Sequence, residues 1–172
     1  NCKFQALGRR EILADFNGGT ITSDGGGLLL REVEQRNNIL NRFSKCFTDH
    51  RNPDLIEHSV QDIVSQRVLA IALGYEDLND HDELSKDQLL AIMVGKKDPT
   101  GMDRKQQRDK GSALAGKSTL NRMELTPENA GPESRYKKIV MNSNAIDSLL
   151  VDTFLESYLK PPLQIILDLD AT

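Results

Sequence analysis

Residues 51–78, RNPDLIEHSVQDIVSQRVLAIALGYEDL, decide the architecture. Ile56, Val60, Ile63, Val64, Val68, Ile71 and Ala72 recur at three- and four-residue spacing, which gathers side chains on one helical face. Pro53 stands near the start, and Gly74 stands where a left-handed C-terminal residue is expected. This stretch predicts a long core helix. The chain has 172 residues, 38% of them hydrophobic and none of them Trp. That suits one domain, or one domain plus a piece of another, with a core of Leu, Ile and Val.

Upstream, Ile12, Ala14 and Phe16 alternate with polar residues as far as Asn17-Gly18-Gly19, and Ile21 follows. The pattern predicts a β-hairpin at about 12–22. Ser23 or Asp24 can cap the next helix, whose inward side carries Leu28, Leu29, Leu30 and Val33. A second short helix carries Leu40, Phe43 and Phe47. Downstream, Ser85 begins a short apolar helix that Gly95 closes, and residues 96–112 form a polar loop. Residues 142–159, NSNAIDSLLVDTFLESYL, predict an amphipathic helix with Ile146, Leu149, Leu150, Phe154 and Leu155 inward. Pro161-Pro162 ends it, and residues 163–172, LQIILDLDAT, read as a strand suited to pair with the hairpin. The expected class is mainly α, a multi-helix domain with a β-hairpin near the N-terminus and a strand at the C-terminus.

The formal net charge is −4, which argues against indiscriminate nucleic-acid binding, but the charges are segregated. Residues 76–87 are acidic, whereas 96–122 carry Lys96, Lys97, Arg104, Lys105, Arg108, Lys110, Lys117 and Arg122 against three aspartates. Such a block suits a phosphate backbone or, more blandly, a solvated loop. Cys2 and Cys46 lack metal-type spacing and read as free thiols of a reducing compartment. No signal peptide opens the chain and no apolar run approaches ~18 residues, so the expectation is a cytoplasmic protein without a membrane partner.

Residues 111–119, GSALAGKST, fit the phosphate-binding string G-x-x-x-x-G-K-[ST]. That string works when a buried strand feeds it and a long helix follows, so that amides converge on the phosphates. Here MDRKQQRDKG precedes it, and only about two helical turns fit before Pro127. ATP is therefore not expected as a partner. A second reading makes SALAG one helical turn and KSTLNRMEL a short helix capped by Ser118, joined at Gly116 as a helix-turn-helix. Lys117, Ser118, Thr119, Asn121 and Arg122 then share an exposed stretch, with Leu120 and Met123 inward. Ser and Thr suit phosphates, and Asn and Arg suit base edges. An ordinary surface helix is the bland alternative. His50, His58 and His81 sit beside acidic residues and are expected in caps and surface hydrogen bonds rather than in a metal site.

Asp168 and Asp170, two residues apart on a strand, share one face and could hold a divalent metal, or simply enter an acidic turn. Together with DFNGGTITSDGGGLLLRE, the 51–84 stretch ending GYEDLNDHDEL, and LAGKSTLNRME, the terminal ILDLDAT resembles bacterial insertion-sequence transposases of the DDE type. The likeness is narrowest to the group whose first catalytic strand reads Asp-Ala-Thr, and it spans about residues 14–172. It implies a helical DNA-binding domain over 1–160 and the first strand of a ribonuclease H-like catalytic domain over 161–172. It implies Asp170 as the first catalytic carboxylate and Mg²⁺ ligand, with Mg²⁺ needed by the complete enzyme and no cofactor expected in this chain, which is expected to be an inactive N-terminal fragment. The implied partner is DNA at the terminal inverted repeats of the element, contacted by Arg104, Lys105, Arg108, Lys110, Lys117, Ser118, Thr119, Asn121 and Arg122. The alternative is a structural module that makes a homodimer of the transposase and contacts DNA little.

Overall fold

The computed structural model describes residues 2–15 and 23–166. Its architecture is mainly α: seven α-helices and two two-stranded antiparallel sheets among the described residues. The core helix is α3, Val60–Ala72. It starts later than the apolar pattern predicts, because Ser59 accepts from the Asp62 amide while Asp62 accepts from the Ser59 amide. That reciprocal cap fixes the first turn. Pro53 instead opens a single 3-10 turn, Pro53–Leu55. Gly74 takes φ +97°, as expected of a left-handed terminator.

Around α3 lie α1 (Gly27–Asn37), α2 (Ile39–Ser44), the single turn α4 (His81–Leu84) and α5 (Gln88–Val94), with α6 (Lys117–Glu124) and α7 (Ser143–Glu156) following. Two apolar clusters form the core. Leu69 and Ala70 of α3 join Leu28, Leu40, Leu90 and Met93 in one, and Ile63 and Val64 join Leu120, Met123 and Ile139 in the other. Thus α3 is buried on more than one side, while Ile71 and Ala72, expected inward, point out.

Several expectations are corrected. The hairpin comprises β1 (Cys2–Leu7) and β2 (Arg10–Ala14), turning at Gly8 with φ +60°. Strand β2 is the alternation seen in the sequence, but its partner here lies upstream; the Asn17-Gly18-Gly19 turn falls outside the described residues. Arg31, 2% exposed, ties this hairpin to the helices by donating to the carbonyls of Gln5 (2.8 Å) and Ile92 (3.2 Å). Phe47 leaves the predicted second helix for β3 (Phe47–Asp49), which pairs with β4 (Ile139–Met141). SALAG is not helical. Ala113, Leu114 and Ala115 are buried in an irregular segment that bends at Leu114, so no helix precedes Gly116 to make a helix-turn-helix. On α7 only Leu149 is buried; Leu150, Phe154 and Leu155 are exposed, because the helix meets little beyond α2. Residues 161–166 form no strand and pair with no hairpin, and 167–172 lie outside the described residues. No helix among the described residues is long and apolar enough to cross a membrane.

Candidate nucleic-acid interface

The buried SALAG segment positions the site. Gln66, fully buried in the middle of α3, accepts from the Ala115 amide (2.9 Å) and donates to the Ala115 carbonyl (2.7 Å). Its amide nitrogen also lies 3.0 Å from Nδ1 of His81. A buried amide side chain is costly unless paired, so a lone Gln on this helix face selects a backbone partner. The Leu114 amide meanwhile donates to Ser85 O (3.0 Å), that of Ser112 to Asp109 O (3.2 Å), and that of Gly111 to Gly101 O (3.2 Å). Four amides of the string, those of Gly111, Ser112, Leu114 and Ala115, are thus spent inside the fold rather than aimed at a nucleotide. Gly101 permits this crossing: it has φ +67°, and a Cβ there would lie 2.5 Å from the Ala113 nitrogen.

Helix α6 begins where this segment surfaces. Its N-cap is Gly116, not Ser118, and no side chain caps it. Lys117, Ser118, Asn121 and Arg122 are exposed and Thr119 is half-buried, while Leu120 and Met123 pack inward as expected. Arg67 of α3 holds the far end through Glu124, and also donates to the carbonyls of Tyr75 (3.1 Å) and Glu76 (2.7 Å). The GYEDLNDHD string therefore has structural work in every part: Gly74 turns, Tyr75 and Glu76 receive Arg67, Asp77 caps the Leu78–Asp80 turn, His81 meets Gln66, and Asp82 pairs with Lys117 at 2.8 Å.

A cleft of about 600 Å³ opens beside α6. Five cations line it, Arg51, Arg104, Arg108, Arg122 and Lys138, against the two carboxylates Glu57 and Asp109. Ser118, Thr119 and Tyr136 complete its polar wall. Of the residues expected on DNA, Arg104, Arg108, Ser118, Thr119 and Arg122 come together here. Lys117 and Asn121 line an adjoining pocket with Ser118 and Arg122. Lys105 and Lys110 line neither pocket; Lys105 instead turns its amide to Glu57 (3.0 Å).

The cations are not equivalent. Arg104 is committed to the fold, donating to Glu57 (2.7 Å) and to Ser112 O (2.5 Å), and its hydrogen bond holds Glu57 below the usual carboxylate range. Arg51 is held by Asp49 (2.8 Å) and His58 O (3.1 Å). Lys117 is partly neutralised by Asp82. Among the described residues Arg108, 78% exposed, has only a loose Asp109 neighbour at 3.7 Å. Arg122 stacks over Tyr136, and Lys138 reaches the Pro132 carbonyl. Arg108, Arg122 and Lys138 are the cations available to a ligand.

Arg51, Tyr136 and Lys138 were not singled out in the sequence. The interleaved RYKK of 135–138 is a basic and aromatic signal that could have found two of them. Pairing of β3 with β4, extended by His50 N to Lys138 O at 2.8 Å, carries them across from the distant 47–51 segment.

Two histidines depart from expectation: His58 and His81 are buried, 7% and 0% exposed. Burial, aided by the charges of Arg104 and Lys96, lowers the His58 pKa to about 4. The folded state thus disfavours protonated His58, while the unfolded chain takes the proton near 6.5. Stability is full above pH 6.5 and is lost as the pH falls toward 4. Between pH 7 and 5, above the carboxylate range, this one group costs about 2 kcal/mol. Urea melts should show that loss, and His58→Gln should flatten it; an unchanged slope in the variant would assign the loss to His81 alone, whose pKa burial also lowers.

Over residues 4–172 the chain matches the family described as transposase DDE domain group 1. The chain belongs to this DDE transposase family. Comparison with curated proteins and with solved structures finds no match. Membership of a DDE transposase family associates the chain with DNA transposition. Among the described residues no group of three or more His, Cys, Asp or Glu could hold a metal ion. Asp170, the carboxylate expected to bind Mg²⁺, lies outside the described residues.

Proposed function

We propose that this part of the transposase binds the ends of its insertion sequence, with the α6 cleft on the DNA backbone. The observation that carries the reading is the convergence of Arg108, Arg122 and Lys138 beside the uncapped start of α6. Each cation that meets a phosphate releases a counterion, so affinity comes with steep salt dependence. The Ser118 amide in the first turn of α6 and the hydroxyls of Ser118 and Thr119 favour an anion at the same place. Asn121 and Arg122, neighbours on the exposed side of α6, are the side chains suited to adenine and guanine edges. Residues 161–172 are proposed to lead into a ribonuclease H-like domain, with Asp170 a Mg²⁺ ligand among three catalytic acidic residues. The chemistry Mg²⁺ supplies there is activation of the attacking oxygen and stabilisation of the leaving one. ATP has no place in this scheme.

Fluorescence anisotropy on terminal-repeat and scrambled duplexes tests the reading. Arg122→Ala should weaken terminal-repeat binding by about 1–3 kcal/mol and narrow the gap between the two sequences. Lys117→Ala should do less, because Asp82 already offsets that charge. A second reading, a dimerisation module, is favoured by the exposed Leu150, Val151, Phe154 and Leu155 of α7. Parent-like binding by both variants, together with a dimer that Leu150→Glu dissociates, would replace the first reading with the second.

A further inference from the structure

Tyr136 stands in the loop between α6 and β4 with its residue 55% exposed, on the wall of the cleft. The guanidinium carbons of Arg122 and Arg135 lie 5.1 and 4.8 Å from its ring centroid. Both are within cation–π range, so the ring and two planar cations form one cluster. A surface aromatic this exposed is more than the fold requires: Tyr136 belongs to neither apolar cluster. Interior base pairs of a duplex stack on one another and only the terminal pair shows an outer face, whereas an unpaired base offers a π-face that aromatic rings and guanidinium planes both accept. The backbone of that nucleotide would fall toward Lys138 and Arg108, which line the same cleft.

We propose that the Arg122–Tyr136–Arg135 cluster is a stacking platform for an unpaired base of the DNA end. This rests on the reading of the cleft as a DNA site and names the form of DNA it prefers. The cluster selects a frayed or overhanging end over a continuous duplex, while the three available cations act on both.

The test uses the 172-residue chain and two fluorescein-labelled DNAs of equal duplex length, one blunt and one with a short single-stranded overhang carrying 2-aminopurine. The parent should bind the overhang DNA about tenfold more tightly, in line with one stacked base, and binding should quench the 2-aminopurine. Tyr136→Ala should abolish both the preference and the quench, lowering overhang affinity about tenfold more than blunt-duplex affinity. Tyr136→Phe should keep both, since the ring and not the hydroxyl stacks. Equal affinity for the two DNAs in the parent, or loss of preference in Tyr136→Phe to the extent seen in Tyr136→Ala, overturns the platform and leaves the duplex site standing. Failure of the parent to bind either DNA overturns the platform and the DNA site together.

Discussion

Gln66→Leu should cost this domain about 3–5 kcal/mol of stability, a loss of roughly 10 °C in melting temperature for a chain of this size. Leucine fills much of the same volume, so the effect is not a cavity. It is the loss of partners: the Ala115 amide and carbonyl and Nδ1 of His81 all meet the Gln66 side chain in the core. Each buried group left unpaired costs about 1–3 kcal/mol. The damage should also be local before it is global. Ala115 immediately precedes the Gly116 cap, so hydrogen exchange in α6 should accelerate before that of α5. Chemical denaturation and exchange mass spectrometry measure the two effects. A loss below about 1 kcal/mol would mean that residues 113–115 find other partners and that Gln66 is not their lock.

The same contact explains why this region could not be read locally. Ser112–Gly116 is alanine- and leucine-rich, and its helix-forming bias is real. It stays non-helical because Gln66 and Ser85, distant in sequence, capture its backbone amides. By contrast α3 and α6 were legible from apolar spacing, and α5 from the glycine that ends it with φ +92°. Strands β3 and β4 were not, since three residues each carry no period and their partners are some ninety residues apart. The histidines misled because their neighbours in sequence are acidic, whereas in the fold His81 is buried against Gln66 and His58 is buried beside the cations Arg104 and Lys96. On α7 the amphipathic pattern was present, but the period of a helix does not say whether a partner covers its apolar face.

At the candidate site, the α6 residues were legible as an exposed polar stretch. The basic block of 96–122 was legible as charge but not as function. Arg104 and Lys96 turned inward to Glu57 and Asp62, and Lys117 turned to Asp82, which removes three of its cations from free display. Lys138, which replaces them in the cleft, lies outside the block and arrives by strand pairing. What makes the surface basic is thus the difference between paired and available cations, and a sequence does not display it.

The combined substitution Arg108→Glu, Arg122→Glu and Lys138→Glu should reduce DNA binding about a thousandfold or more near 0.1 M salt. A phosphate contact contributes about 0.9 to the slope of log K against log salt, hence roughly a factor of ten in affinity at that concentration. Three lost contacts multiply, and the introduced carboxylates add repulsion. Stability should change little, because Arg108 and Arg122 are exposed and none of the three lies in the apolar clusters. The most direct measurement is the salt dependence of terminal-repeat binding, parent against this triple variant, by anisotropy over several salt concentrations. The DNA-binding account predicts that the slope becomes shallower by about two units or more in the variant, from the phosphate contacts of Arg108 and Lys138, while its melting temperature stays near the parent's. A parent that binds without salt dependence, or a variant whose slope matches the parent's, would contradict it.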